Sequence, residues 1–535
     1  MVNIEIKRFL SDKSPTLKSI IQLKDKIYIG KMILHPMDKL TEKDVEYSLN
    51  YVMRDGFISN IMIVLTTGTF LISYALLLGA NFFIIGLIAA IPPLTNLLQI
   101  PTVFLIEKIR NRRLICVISL SLYRTCLLII GLIPFLSPPD LSINLFLIFL
   151  VLQSIFASIG HTAWAFWIHD IIPKDKLGTF FSKRILLSTI VGMITSMLAG
   201  IFLDYWKNNY PQIELYSYSI LFTIAFFFGL LSVYIISRIF EPKMIKVENE
   251  IKFIRTISEP FKDKNYKNLL IFLLLWNFTT NLSIPFFTVY MLDKLKLNLI
   301  IIVSLNVLSQ LANLLFLRLW GNLTDKFSNK SVLKLSCPLF LFCILLWVFT
   351  SMPNTYFLTI PLLIIIHIFI GISLAGTTVA LTNISMKLSP KGRANWYLAI
   401  TSVISSLALG IAPIIGGLFA DYFELSELSW SFNWTSPTGN LTFQILNLQG
   451  FDFFFIIAFF IGIFSLHRLA LIREEGYIKD KLFLNIFLIE LSKKIKNIIH
   501  PGSPQEWLIT PISIVKYHPR KHVKNLRRVE KYGQI

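Results

Sequence analysis

Three side chains that titrate or carry permanent charge lie deep inside long apolar runs: Arg124, His161 and His367. An ionisable group surrounded by hydrocarbon is costly, so it usually marks a path for a solute or an ion. Arg124 can bind carbonyls, hydroxyls such as Ser119 or Tyr123, or an anionic solute, and the histidines, with an ordinary pKa of about 6.5, can exchange a proton near neutrality. His161 shares its run with Gln153, Ser158, Trp164 and Trp167, a set suited to lining a cavity, whereas His367 is flanked by Ile364, Ile365, Ile366 and Ile368. Amides add hydrogen-bonding capacity. Asn277 and Asn281 lie in Trp276-Asn277-Phe-Thr279-Thr280-Asn281 ahead of Pro285, and Asn60 shares the first run with Thr66, Thr67, Thr69 and Tyr74. Each has a plainer role in tying helices together. Asp55, Asp170, Asp204, Asp293 and Asp421 fall at the ends of runs, so no carboxylate relay is expected at their centre.

The four cysteines, Cys116, Cys126, Cys337 and Cys343, sit in apolar runs without a CxxC pair or a histidine at ligand spacing. Neither a disulfide framework nor a metal site is expected. No GxxxxGK[ST] loop occurs, which disfavours ATP-driven work by this chain. No catalytic residues and no cofactor are expected, and the chain does not read as an enzyme.

The elements that position these residues follow from composition. Of 535 residues, 54% are hydrophobic and only 15% charged, against roughly 25% charged in a soluble chain. Apolar runs of 18 or more residues recur, each able to cross roughly 30 Å of hydrocarbon. They predict twelve spans, near 57–78, 82–106, 113–135, 142–171, 180–203, 215–239, 268–291, 298–320, 331–351, 355–386, 396–420 and 451–472. The connections after even-numbered spans carry the bases, including Lys108, Arg110, Arg112 and Arg113, then Lys174, Lys176, Lys183 and Arg184, then Lys326, Lys330, Lys387, Lys391 and Arg393. The longest alternate connection, 421–450, holds Asp421, Glu424 and Glu427 and no base. By the positive-inside rule the basic connections and both termini are cytoplasmic. The net charge of +20 is thus topological, and no nucleic-acid partner is needed.

The expected organisation is a cytoplasmic arm over 1–54, uncleaved and with Thr41 and Asp44 as a capping box; a six-helix half over 55–240; a linker over 241–267; a second half over 268–475; and a cytoplasmic amphipathic helix with a basic tail over 476–535. The chain also repeats itself at about 217 residues. Leu94-Thr-Asn96-Leu-Leu returns as Leu311-Ala-Asn313-Leu-Leu, Asn81 pairs with Asn298, Pro173 with Pro390, Gly200 with Gly417, and Asp204-Tyr205 with Asp421-Tyr422. Two parallel repeats are related by an axis along the membrane normal.

Gly321-Asn-Leu323-Thr-Asp325-Lys326-Phe-Ser328-Asn329-Lys330 matches G-x-L-x-D-[RK]-x-G-[RN]-[RK] except at Ser328. The first-half copy is degenerate, with Val103, Glu107 and Arg110 at the first glycine, the aspartate and the second glycine. On these loops residues 50–475 resemble the major facilitator superfamily of bacterial secondary transporters. The resemblance implies an all-α integral membrane protein of twelve helices in two six-helix repeats. It also implies a cytoplasmic gate of Glu107, Arg110, Arg112, Asp170, Arg184, Gly321, Asp325, Lys326 and Lys330, in which Asp325 or Glu107 latches onto a helix N-terminus in one state only. Ala408-Leu-Gly-Ile-Ala412-Pro413-Ile-Ile-Gly416-Gly417 is similar to a small-residue motif of antiporters, but close packing explains it more simply. The expected function is movement of a small polar or anionic organic solute by alternating access, with protons as a coupling partner and a monomer in a bacterial inner (plasma) membrane. Export of amphipathic compounds, and a receptor or scaffold that transports nothing, are the alternatives.

Overall fold

Among the described residues, twelve helices are long and apolar enough to cross a membrane: α1 Glu42–Leu77, α2 Phe82–Ile109, α3 Arg112–Leu136, α4 Pro139–Ile171, α5 Gly178–Asn209, α6 Pro211–Ile236, α7 Lys264–Lys294, α8 Leu299–Lys326, α9 Asn329–Ser351, α10 Thr359–Lys387, α11 Trp396–Phe423 and α12 Phe451–Leu471. A two-stranded antiparallel hairpin, β1 Glu427–Ser436 and β2 Gly439–Gln449, joins α11 to α12. The computed structural model describes residues 36–37, 40–173, 177–244, 258–351, 357–390, 393–437, 439–478 and 480–499. Most of the arm, the middle of the linker, the tail beyond Ile499, and Lys174, Lys176 and Lys391 lie outside the described residues. Residues from Gly476 onward form a unit of their own, with one described helix, α13, at Asp480–Ile499.

The span predictions hold in number and order, but the first needs correction. Its helix begins at Glu42, where Thr41 and Asp44 form the expected capping box, well before the apolar run starts. Asp55 therefore sits inside a helix and is only 2% exposed, not at a span end. Near its other end α1 breaks at Gly68, whose φ of 60° with ψ of −129° suits glycine alone.

The connections define two ends of the bundle. One carries the hairpin; the other carries the basic connections. Every helix that starts at a membrane boundary exposes N–H groups that its own turns cannot satisfy. At the basic end these are met from within each half. Glu241, after α6, accepts from the N–H of Arg112 (2.8 Å) and Arg113 (3.1 Å), while Asn111 caps Leu114 (2.9 Å). Glu474, after α12, accepts from the N–H of Asn329 (3.2 Å) and Lys330 (2.7 Å), while Ser328 caps Ser331 (3.1 Å). Arg112 pairs with Glu241 and Asp170, and Lys387 with Glu474. Lys330 turns back onto the carbonyls of Ala470 and Ile472 at the end of α12. Each half is thereby closed on itself.

Both glutamates are almost fully buried, at 1% for Glu241 and 0% for Glu474. Removing one partner of a buried ionic set costs about 3–5 kcal/mol. Glu474→Ala and Glu241→Ala should each lower the unfolding midpoint of the purified protein by several degrees, read by thermal fluorescence, whereas Ala at the exposed Glu475 should leave it within one degree.

Candidate functional site

At the hairpin end the same kind of contact runs between the halves. Asp204, at the end of α5, accepts from the N–H of Leu299 (3.0 Å) and Ile300 (2.8 Å) at the start of α8. Asp421, at the end of α11, accepts from the N–H of Phe82 (3.0 Å) and Phe83 (3.0 Å) at the start of α2. The two aspartates, and the two N–H pairs, are each 217 residues apart, so the latches are related by the internal repeat. Close packing supports one of them. A Cβ on Gly417 would lie 2.5 Å from the Phe82 carbonyl oxygen, and one on Gly86 would lie 2.2 Å from that of Pro413. The small-residue stretch of α11 is thus a packing surface against α2. Further towards the basic end, residues of α2, α4 and α11, among them Asn96, Phe166 and Ser406, surround a cleft of about 200 Å³.

Beneath the latches lies a cavity of about 380 Å³ between the halves. Its polar lining is Thr67, Thr69, Ser196, Thr288, Asn306, Ser309, Gln310 and His367, with no Asp, Glu, Lys or Arg among the lining residues. Asn306 Nδ2 donates to Thr69 Oγ1 (3.0 Å), linking α8 to α1 across the halves. Gly68 also lines the cavity, so the break in α1 opens backbone there to solvent, which is tolerated at membrane depth where a chain faces water. His367 is buried, and its Nδ1 lies 2.8 Å from the Leu363 carbonyl of its own helix.

A second, charged cavity of about 160 Å³ lies inside the first half, lined by Asp55, Arg124, His161, Trp164, Arg184 and Ser232 among others. Asp55 accepts from Ser232 Oγ (2.6 Å) and pairs with Arg184 (3.4 Å). Arg184 lies over the Trp164 ring at 5.0 Å. Arg124 donates to the Leu120 carbonyl (3.2 Å) and packs on Gly229 of α6, yet its Nε and the Trp164 Nε1 have no hydrogen-bond partner among the described residues. Buried donors left open in this way can take up water or a polar solute.

The two cavities sort the candidates named from the sequence. Arg124, His161 and Trp164 converge, and His367 faces the central cavity. The amides are structural in this conformation. Asn60 donates to the Ser188 carbonyl (2.6 Å), tying α1 to α5, and Asn281 donates to Asn277 O (3.1 Å) within α7. Arg184 departs from the expected gate cluster, because its partner is the buried Asp55 rather than Asp170. The expectation that no carboxylate lies among the deep groups is overturned by Asp55. Glu107 and Asp325 are exposed and make no side-chain hydrogen bond or ion pair among the described residues, while Arg110 is the left-handed C-cap of α2 and Gly321 has open space around it.

Several of the groups just described were not singled out from the sequence: Asp55 as a deep group, Glu241, Glu474, Gly68, Asn306 and Gln310. The repeat alone pointed to Asp204 and Asp421, without giving them a role.

No curated protein matches the chain in sequence. Among solved structures it is similar to the nucleoside transporter NupG, at 12% identity and TM-score 0.59, over 80% of this chain and 99% of that one. It is similar to a bacterial homologue of the iron transporter ferroportin in an inward-facing state, at 14% identity and TM-score 0.56, over 81% and 99%. A bacterial homologue of the lysosomal transporter Spinster matches at 14% identity and TM-score 0.52, over 72% and 84%. At these identities the likeness establishes the fold. The Major Facilitator Superfamily model matches residues 56–413, well over half of the chain. With twelve apolar spans in two repeats, the chain belongs to the Major Facilitator Superfamily and is a secondary transporter, not an enzyme.

Proposed function

We propose that this transporter carries a small polar or anionic organic solute by alternating access, in a state closed at the hairpin end, and that the basic end is cytoplasmic. The observation that carries the proposal is the symmetric pair of aspartate latches roofing a polar cavity, while Glu107 and Asp325 at the basic end are unengaged. A carboxylate that binds a helix N-terminus in one state and water in the other biases an equilibrium without holding the core together. The central cavity offers hydroxyls, amides and one imidazole, which suits a solute recognised by hydrogen bonds.

Proton exchange falls to the Asp55 cluster. A proton on Asp55 removes the negative partner of Arg184, and the guanidinium is then free to attract an anionic group. His161 stands in the same cavity and can share that proton. The route expected from the sequence, through a histidine or the substrate itself, thus widens to include a carboxylate paired with an arginine.

Uptake by proteoliposomes over a solute panel, with and without a pH gradient, tests the proposal. Asp55→Asn should abolish pH-driven accumulation, by at least tenfold, while sparing solute exchange; His161→Gln should do the same. Accumulation at the natural level in both variants would remove the cluster from coupling. Asp325→Asn should impair turnover with normal folding, as expected of a group engaged only in the alternate state. Orientation is tested by labelling intact cells with an impermeant thiol reagent. Ser429→Cys should react and Ser503→Cys should not, and the opposite pattern would invert the topology.

A further inference from the structure

The hairpin between α11 and α12 is amphipathic in a way that a soluble loop is not. Along β1, Leu428, Trp430, Phe432 and Trp434 alternate with Ser429, Ser431, Asn433 and Thr435. The four apolar side chains are 54%, 66%, 51% and 56% exposed. Backbone register pairs them with Leu448, Leu446, Phe443 and Leu441 of β2, so the pleat assigns apolar residue types to one face of both strands. The pairing continues across a bulge between Trp430 and Ser431. Between Leu428 and Gln449 the sequence has no charged residue.

Two strands alone are marginally stable in water, and both are edges. A hairpin with one wholly apolar face therefore needs a surface to lie on. Its base is fixed where α11 gives way to α12. Lys294 Nζ donates to the Gln449 carbonyl (3.1 Å) and to Asp452 (2.8 Å), and the N–H of Gly450 donates to the Ser426 carbonyl (3.2 Å). The strands begin where α11 ends in exposed apolar groups, Leu418, Tyr422 and Leu425, the last 96% exposed. The apolar face thus begins close in sequence to exposed apolar groups at and just after the end of α11. Tryptophan is a residue that membrane–water interfaces favour, and the missing charges remove the usual barrier to entering one.

We propose that the hairpin lies in the membrane–water interface of the leaflet on its own side, with Leu428, Trp430, Phe432 and Trp434 towards the acyl chains and the Ser, Asn and Thr face towards water. Because its base adjoins Asp421 and the start of α12, this anchor holds the latch-bearing end of α11 at a fixed depth. The lipid supplies the packing surface that the chain itself does not.

Nitroxide labels on single cysteines, with the full-length protein in lipid nanodiscs, test the placement, since the four natural cysteines are buried. Labels at Trp430, Phe432 and Trp434 should collide with oxygen and be shielded from a water-soluble nickel chelate. Labels at Ser431, Asn433 and Thr435 should show the reverse, giving a period of two. Equal access of the nickel chelate to both sets would overturn the proposal. So would shielding of the first set from both reagents, which would mean a second copy or another protein on that face. An unlabelled control guards against distortion by the label. Quenching of tryptophan fluorescence by brominated lipid should fall in W430F/W434F relative to the natural chain, and unchanged quenching would also overturn the proposal.

Discussion

A helix that starts at a membrane boundary exposes N–H groups that hydrocarbon cannot satisfy, and four helices of this transporter meet that constraint with a carboxylate from a distant part of the chain. α3 and α9 borrow Glu241 and Glu474 from their own halves. α2 and α8 borrow Asp421 and Asp204 from the opposite halves. The first pair is embedded in ion pairs with Arg112 and Lys387 and is buried, so it ties together elements of the same half. The second pair is only partly buried and has no basic partner among the described residues, so each contact is worth about 0.3–2 kcal/mol. That is the scale needed to favour one conformation while leaving the other in reach. One chemical device thus serves for permanence inside a half and for reversibility between halves.

The two cavities divide the work in the same spirit. The central one lies where the halves meet and is lined mainly by uncharged polar groups, so its shape changes when the halves move. The charged one lies inside the first half, where Asp55, Arg184 and Ser232 come from three helices that move together. A buried carboxylate keeps its environment only when its partners travel with it. In the proposed coupling, proton exchange would be gated by water reaching the cluster rather than by its assembly.

Much of the fold was legible because span length, positive-inside bias and a 217-residue repeat are properties of the one-dimensional chain. The repeat also fixed Asp204 and Asp421 as equivalents, yet their function depends on α5 meeting α8 and α11 meeting α2, contacts across more than 90 residues. Glu241 and Glu474 were hidden because the hairpin lengthens the second half and shifts this pair out of the repeat's offset. Asp55 was hidden because the apolar run begins after it, whereas the helix begins at Glu42 and its partner Arg184 lies 129 residues away. Arg124 and His161 were found because hydrocarbon leaves few reasons to place them there. The asparagines of α1 and α7 have the same polarity but spend it on nearby carbonyls, which depth alone cannot distinguish.

The central claim is that Asp204 and Asp421 hold the hairpin end closed. It is tested most directly by distances between spin labels in nanodiscs, one pair at Asn209 and Asn298 across the hairpin end and one at Lys108 and Ala399 across the basic end. With both aspartates replaced by alanine, the first pair should gain a longer component and the second a shorter one. Unchanged distributions at both ends, in a variant that folds normally, would contradict the account.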